Sequence, residues 1–189
     1  GLFRQQNHGD DEQDLSLLSA AHQAALLAPQ IISFSKSGRR STVHRPAYPD
    51  YITVRYVDKN GQVVGGRRFM GLFTSKVYNE TPFSIPIVRN KVQEVMRRSG
   101  FAVNGHNGKE LRRIIEVFPR DELIHTDLDQ LFNSAIGVLN IQERRQTRVF
   151  IRQDQLGKFM SCIVYVPRDL YNTELRHKVQ AILVDAFAP

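Results

Sequence analysis

The chain has 189 residues, 41% of them apolar and 24% charged, with a formal charge of +7. That is enough apolar material to core one large or two small domains, and too much for a chain disordered throughout. The single cysteine, Cys162, excludes an intrachain disulfide and suits a reducing compartment, and no apolar run approaches the ~20 residues of a bilayer-crossing helix.

The opening GLFRQQNHGDDEQDLS is polar and acidic, unlike a secretory signal, and reads as a boundary inside a longer chain. Residues 1–11 are expected to be disordered. From 12 to 29, Leu15, Leu18, Ala21, Ala25 and Leu26 recur at helical spacing until Pro29 stops the helix. A short strand is expected over 30–35, then a Ser/Gly/Arg-rich loop. Residues 51–57 are β-branched and aromatic, with Ile52, Val54 and Tyr56 on one face. Asp58-Lys59-Asn60-Gly61 is a hairpin turn, and 62–73 is the return strand, where Gly65-Gly66 marks a bulge or a close backbone approach.

Three helices follow, over 84–99, 107–118 and 126–142. The first carries the stripe Ile85, Val88, Val92, Val95 and Met96, with Asn90, Lys91, Glu94 and Arg97 facing water. Pro86 suits its first turn and Gly100 the position past its end. The second has Leu111, Ile114, Ile115 and Phe118 as its stripe, with Asn107 and Glu110 spaced as a capping box. The third repeats that spacing with Thr126 and Asp129. Its apolar face is Leu128, Leu131, Phe132, Ala135, Val138 and Leu139, and Phe132 is its expected core anchor. Strands over 147–153 and 158–166 are joined by Asp154-Gln155-Leu156-Gly157, and a final helix spans about 172–187.

Two antiparallel hairpins split by helices do not make a Rossmann fold, which alternates strands and helices. The expected fold is α+β: one antiparallel sheet of about five strands, three helices inserted between its two hairpins, and helices at both ends. This is a PAS/GAF-like arrangement forming a single domain over 30–187. A βαββαβ ACT unit is the competing assignment.

No local pattern announces catalysis. There is no GxGxxG, and Gly61, Gly65 and Gly66 fall in a hairpin rather than at a helix N-terminus, which argues against binding a dinucleotide. The six histidines, His8, His22, His44, His106, His125 and His177, show no i, i+3 or i+4 pairing, so no metal site is expected. Cys162 alternates within a strand and reads as a part-buried apolar thiol. The turn Asn104–Lys109 before a helix makes Gly108 and Lys109 a candidate anion site, against the plainer reading of an interhelix loop. Arg120, Asp121 and Glu122 sit where a short helix would begin, and are expected to make structural ion pairs or, alternatively, contacts to a neighbouring domain. The basic residues come as doublets, Arg39-Arg40, Arg67-Arg68, Arg97-Arg98, Arg112-Arg113 and Arg144-Arg145, dispersed rather than gathered along one groove as a nucleic-acid surface would need.

Five pieces carry a family resemblance: STVHRPAY (41–48), YITVRYVDKNG (51–61), RRFMGLFTSKVYNETPFSIPIVRNKV (67–92), FPRDELIH (118–125) and RVFIRQDQLGKFMSCIVYVPRDLYNTELR (148–176). In this order, from about Ile31 to Leu183, the chain resembles the large NAD-specific glutamate dehydrogenase of bacteria, in its long N-terminal regulatory portion with PAS-type and ACT-like domains. The resemblance implies a parent enzyme that converts L-glutamate, NAD and water to 2-oxoglutarate, ammonia and NADH as a cytoplasmic homo-oligomer. It implies no catalytic residue and no cofactor within this chain. The expected partners are other domains and subunits of the parent, and a small allosteric ligand between sheet and helices; membrane partners are not expected. The alternative, from another functional class, is a basic nucleic-acid-binding module. A stand-alone enzyme is the third reading, for want of a nucleophile–base pair.

Overall fold

The computed structural model describes residues 30–43, 45–142, 146–154, 157 and 159–187. The expected disordered segment 1–11 and helix 12–29 lie outside the described residues. The chain divides into two compact units, one holding Gln30–Glu80 with Asp154 and Gly157, the other holding the described residues of Thr81–Gln153 and Phe159–Pro189.

In the first unit, β1 (Ile32–Lys36), β2 (Asp50–Val57) and β3 (Val63–Gly71) form an antiparallel sheet in the order β1-β2-β3, followed by the short helix α1 (Ser75–Asn79). The Asp58–Gly61 turn closes as its composition dictates. Gly61 takes φ +78°, and the Asp58 carboxylate accepts the amides of Asn60 and Gln62, each at 2.8 Å. The register skips opposite Tyr56 and Val57, just ahead of the glycine pair. Gly66 is the close approach: an added Cβ would stand 2.8 Å from the Val54 carbonyl oxygen. Lys36 pairs with buried Asp50 across the first two strands at 2.9 Å.

The second unit holds the apolar core. Its helices are α2 (Val88–Ser99), α3 (His106–Val117), α4 (Arg120–His125), α5 (Leu128–Gln142) and α6 (Thr173–Phe187), with a hairpin of β4 (Arg148–Gln153) and β5 (Met160–Tyr165) between the last two. The helical stripes meet as their periodicity requires: Val88, Val92 and Val95 from α2, Leu111, Ile114 and Ile115 from α3, Leu123 and Ile124 from α4, and Leu131, Ala135 and Val138 from α5 are all buried. Gly100 ends α2 in the left-handed conformation, φ +66°.

Four readings of the sequence need correction. The five strands do not form one sheet; they pair as sheets of three and two, so the single PAS/GAF-like sheet is not formed among the described residues. Hairpin turns are local and legible, whereas which hairpins join is decided by contacts far apart in the sequence. The helix expected over 126–142 is one helix that begins two residues later, at Leu128, because Thr126 and Asp127 break between α4 and α5. The capping boxes do not form. Glu110 takes Arg113 instead, Thr126 takes Glu122, and Asp127 caps α5 by accepting the Gln130 amide at 2.8 Å. Phe132 is only half-buried; on α5 the inward line runs through Leu131, Ala135 and Val138, and Phe132 flanks it.

Gly108 shows what α3 needs at its start. It is buried, and an added Cβ would lie 2.2 Å from the Ala102 carbonyl oxygen. Gly108→Ala should therefore push the helix off its preceding turn and lower stability by about 1–3 kcal/mol, the usual cost of overpacking. Urea denaturation measures this; an unchanged midpoint would show that the turn yields freely.

Candidate functional site

The most concentrated polar chemistry of the second unit is at α4. Glu122 and Arg152 are each only 8% exposed. Arg152 on β4 donates from Nε to Glu122 Oε2 and from Nη2 to Oε1, both at 2.8 Å. This is the planar two-point match of guanidinium and carboxylate. Ser161 on β5 donates to Oε1 at 2.6 Å, and Thr126 to Oε2 at 3.2 Å. The hairpin register makes this possible by pairing Arg152 with Ser161 across the strands, so both side chains point to one face. The Arg152 guanidinium also lies 5.8 Å from the Phe159 ring centroid.

Burial pushes the Glu122 carboxyl up. The hydrogen bonds from Arg152 and Ser161, the Arg152 charge and the Thr126 hydroxyl outweigh it and hold the group below its ordinary value of 4.5. A carboxylate lowered by folding contributes stability above its unfolded value that is lost as pH falls through its folded value. Acidification below about 4.5 should therefore weaken the fold, and Glu122→Gln should flatten that part of the stability–pH curve. Equal slopes for the two proteins between neutral pH and pH 3 would contradict this account.

Lys91 corrects a further sequence reading. It was expected to face water, yet its ammonium donates to the Leu123, Ile124 and Thr126 carbonyls at 2.8, 3.1 and 2.6 Å. These oxygens end α4 and have no helical partner of their own. The aliphatic arm of a lysine at the border of a stripe can carry its charge inward to such a site. Burial lowers the ammonium to about 8, with Asp127 raising it and Arg152 lowering it further. Glu122 is thus held from β4 while the end of its helix is held from α2.

Beside the ion pair lies a cleft of about 280 Å³ between α5 and β4, lined among others by Asn133, Ser134, Arg148, Phe150 and Ile163. Phe150 stacks edge-on against Tyr165, centroids 5.8 Å apart, and packs on α5 at Gly137, where an added Cβ would stand 2.7 Å from the ring.

The other sequence-predicted residues are placed as follows. Arg120 donates to the Glu116 and Phe118 carbonyls at 2.9 and 3.0 Å, closing the turn from α3 into α4; Asp121 lies in the first turn of α4, favourable to its dipole. At the candidate anion turn of Gly108 and Lys109, the Ala102 carbonyl oxygen fills the open side of Gly108. Gly61 is in a turn and Gly65 and Gly66 are in β3, so none of the three stands at a helix N-terminus. Cys162 is half-buried in β5. Of the histidines, His125 is buried at the end of α4; His8, His22 and His44 lie outside the described residues. Among the described residues no group of three His, Cys, Asp or Glu could hold a metal, and no helix is long and apolar enough to cross a membrane.

Each described basic doublet engages at least one of its guanidiniums locally. Arg97 and Arg98 share Glu94, Arg98 also takes Asp129, and Arg113 takes Glu110. Arg112 covers the Phe83 ring, Arg68 the Tyr51 ring and Arg40 the Tyr48 ring. Arg144 and Arg145 lie outside the described residues. Arg148 and Arg152 line the cleft, and neither belongs to a doublet. Neither Lys91 nor Arg152 was singled out from the sequence. The one available signal was Glu122 itself, a carboxylate just ahead of the apolar pair Leu123 and Ile124.

Two family models match the chain. Residues 85–144 match the family model "Glutamate dehydrogenase, helical motif 1", and 148–189 match "Glutamate dehydrogenase, ACT2 domain". An ACT-type assignment therefore fits the β4–β5–α6 segment. The chain is 52% identical over 157 residues to the NAD-specific glutamate dehydrogenase of Halomonas elongata, covering 83% of this chain and 10% of that protein. It is 50% identical over 185 residues to that of Pseudomonas aeruginosa, covering 98% and 11%. To that of Mycobacterium tuberculosis it is 38% identical over 142 residues, covering 75% and 8%. The chain thus spans about a tenth of the length of these relatives.

Proposed function

Because this chain belongs to the NAD-specific glutamate dehydrogenases, we propose that it is a non-catalytic regulatory and scaffolding segment of such an enzyme. The parent would oxidise L-glutamate with NAD and water to 2-oxoglutarate, ammonia and NADH, as a cytoplasmic homo-oligomer. Other domains and subunits of the parent are its partners. The observation that carries the reading is the Glu122–Arg152 pair. It bolts α4 of the helical motif to β4 of the ACT-type segment, across the boundary between the two matched modules. Such a joint keeps two modules in one fixed relation, which is what a scaffold does and what catalysis by this segment does not require.

The test is direct. The 189-residue chain, mixed with glutamate and NAD, should form no NADH, and calorimetric titration with NAD should give no saturable heat. Micromolar affinity for NAD would overturn the reading. The nucleic-acid alternative gains no support, since at least one guanidinium of each described doublet is engaged by a nearby carboxylate or ring.

A further inference from the structure

We propose that the cleft beside the Glu122–Arg152 pair is a binding site for a small organic monocarboxylate, with Arg148 as its anchor. The proposal rests on the regulatory reading above and adds to it the chemical class of an effector.

Four features converge there. The Arg148 guanidinium lies over the Phe150 ring, 5.3 Å from its centroid, and its Nη1 is 3.7 Å from where a Gly137 Cβ would stand, so it lies along α5. Among the described residues it faces no carboxylate, in contrast to Arg97, Arg98, Arg113 and Arg152. One turn away on the same face of α5, the Asn133 amide and the Ser134 hydroxyl line the cleft and make no side-chain hydrogen bond among the described residues. Phe150 and Ile163 supply an apolar wall.

These groups select a ligand. A guanidinium fork with a hydroxyl and an amide beside it matches a planar carboxylate. The Arg152 charge is already taken by Glu122, so one net cation faces the cleft, and a single negative charge completes it. A volume of about 280 Å³ lies at the lower edge of the ~300–1,000 Å³ typical of small-molecule pockets, which suits a short organic acid. The apolar wall calls for a hydrocarbon body behind the carboxylate.

The test uses the 189-residue chain with butyrate as the probe, butyramide as its uncharged isostere and sulfate as an inorganic anion, each followed by backbone amide shifts. Butyrate should give saturable shifts at Ser134 and Arg148. Butyramide and sulfate should bind at least about tenfold more weakly, the loss expected for one charge-assisted hydrogen bond. Arg148→Met should weaken butyrate by a similar factor at an unchanged denaturation midpoint, and Arg148→Lys should restore part of it. Non-saturating shifts, butyramide or sulfate equal to butyrate, or full affinity in Arg148→Met would each overturn the site. Those outcomes leave the Glu122–Arg152 joint and the regulatory reading standing. Turnover of glutamate by the chain alone would overturn that reading whatever butyrate does.

Discussion

Replacing Arg152 with methionine should lower the unfolding free energy of the chain by about 3–5 kcal/mol, because it leaves the Glu122 carboxylate buried without its cation. Ser161 and Thr126 would remain as donors, but two hydroxyls do not offset a buried charge. The double variant Arg152→Met with Glu122→Leu should recover most of the loss, since an apolar pair of similar volume removes the desolvation cost on both sides. Urea denaturation of the two variants measures the difference. A single variant as stable as the double would mean that the pair is hydrated and does not join α4 to β4. In the full-length enzyme, the single variant should reduce the amount of folded protein before it alters any regulatory response.

The second large effect is expected at Leu131. It is 0% exposed and begins the inward line of α5. Leu131→Ala should cost about 2–5 kcal/mol, from lost transfer energy and the cavity left behind. Phe132→Ala should cost less, although phenylalanine is the larger side chain, because Phe132 flanks the core and is only half-buried. The order of the two denaturation midpoints decides the matter. A larger loss at Phe132 would restore it as the anchor and rotate α5 by about one residue step.

That reversal illustrates what a sequence can and cannot disclose. Leu128, Leu131, Phe132, Ala135, Val138 and Leu139 form an apolar arc wide enough to be buried at several rotations, so periodicity finds the helix but not its inward direction. The same holds for Lys91, which borders a stripe. A polar residue there faces water unless some other element presents acceptors, and the carbonyls ending α4 lie more than thirty residues further along the chain. Strands and turns were legible where local chemistry decides them, as at Asp58 and Gly61. The division into two sheets was not, since it depends on which distant segments meet. At the candidate site, Glu122 stood out as part of a charged cluster, but its partner Arg152 is thirty residues away and was hidden in a strand otherwise read for its turn.

The packing of Phe150 on Gly137 has a consequence for how the hairpin chooses its alignment. Side chains alternate along a strand, so a slip of one residue would turn every inward group of β4 outward. Val149 and Ile151 would then meet the helices. The ring would leave the notch that only a residue without a side chain provides, and Glu122 would confront an isoleucine in place of a guanidinium. Two errors of different kinds, one of shape and one of charge, would thus accompany a single misalignment. A ribbon that has, among the described residues, no third strand to hold it in line is thereby proofread by the helices it rests on.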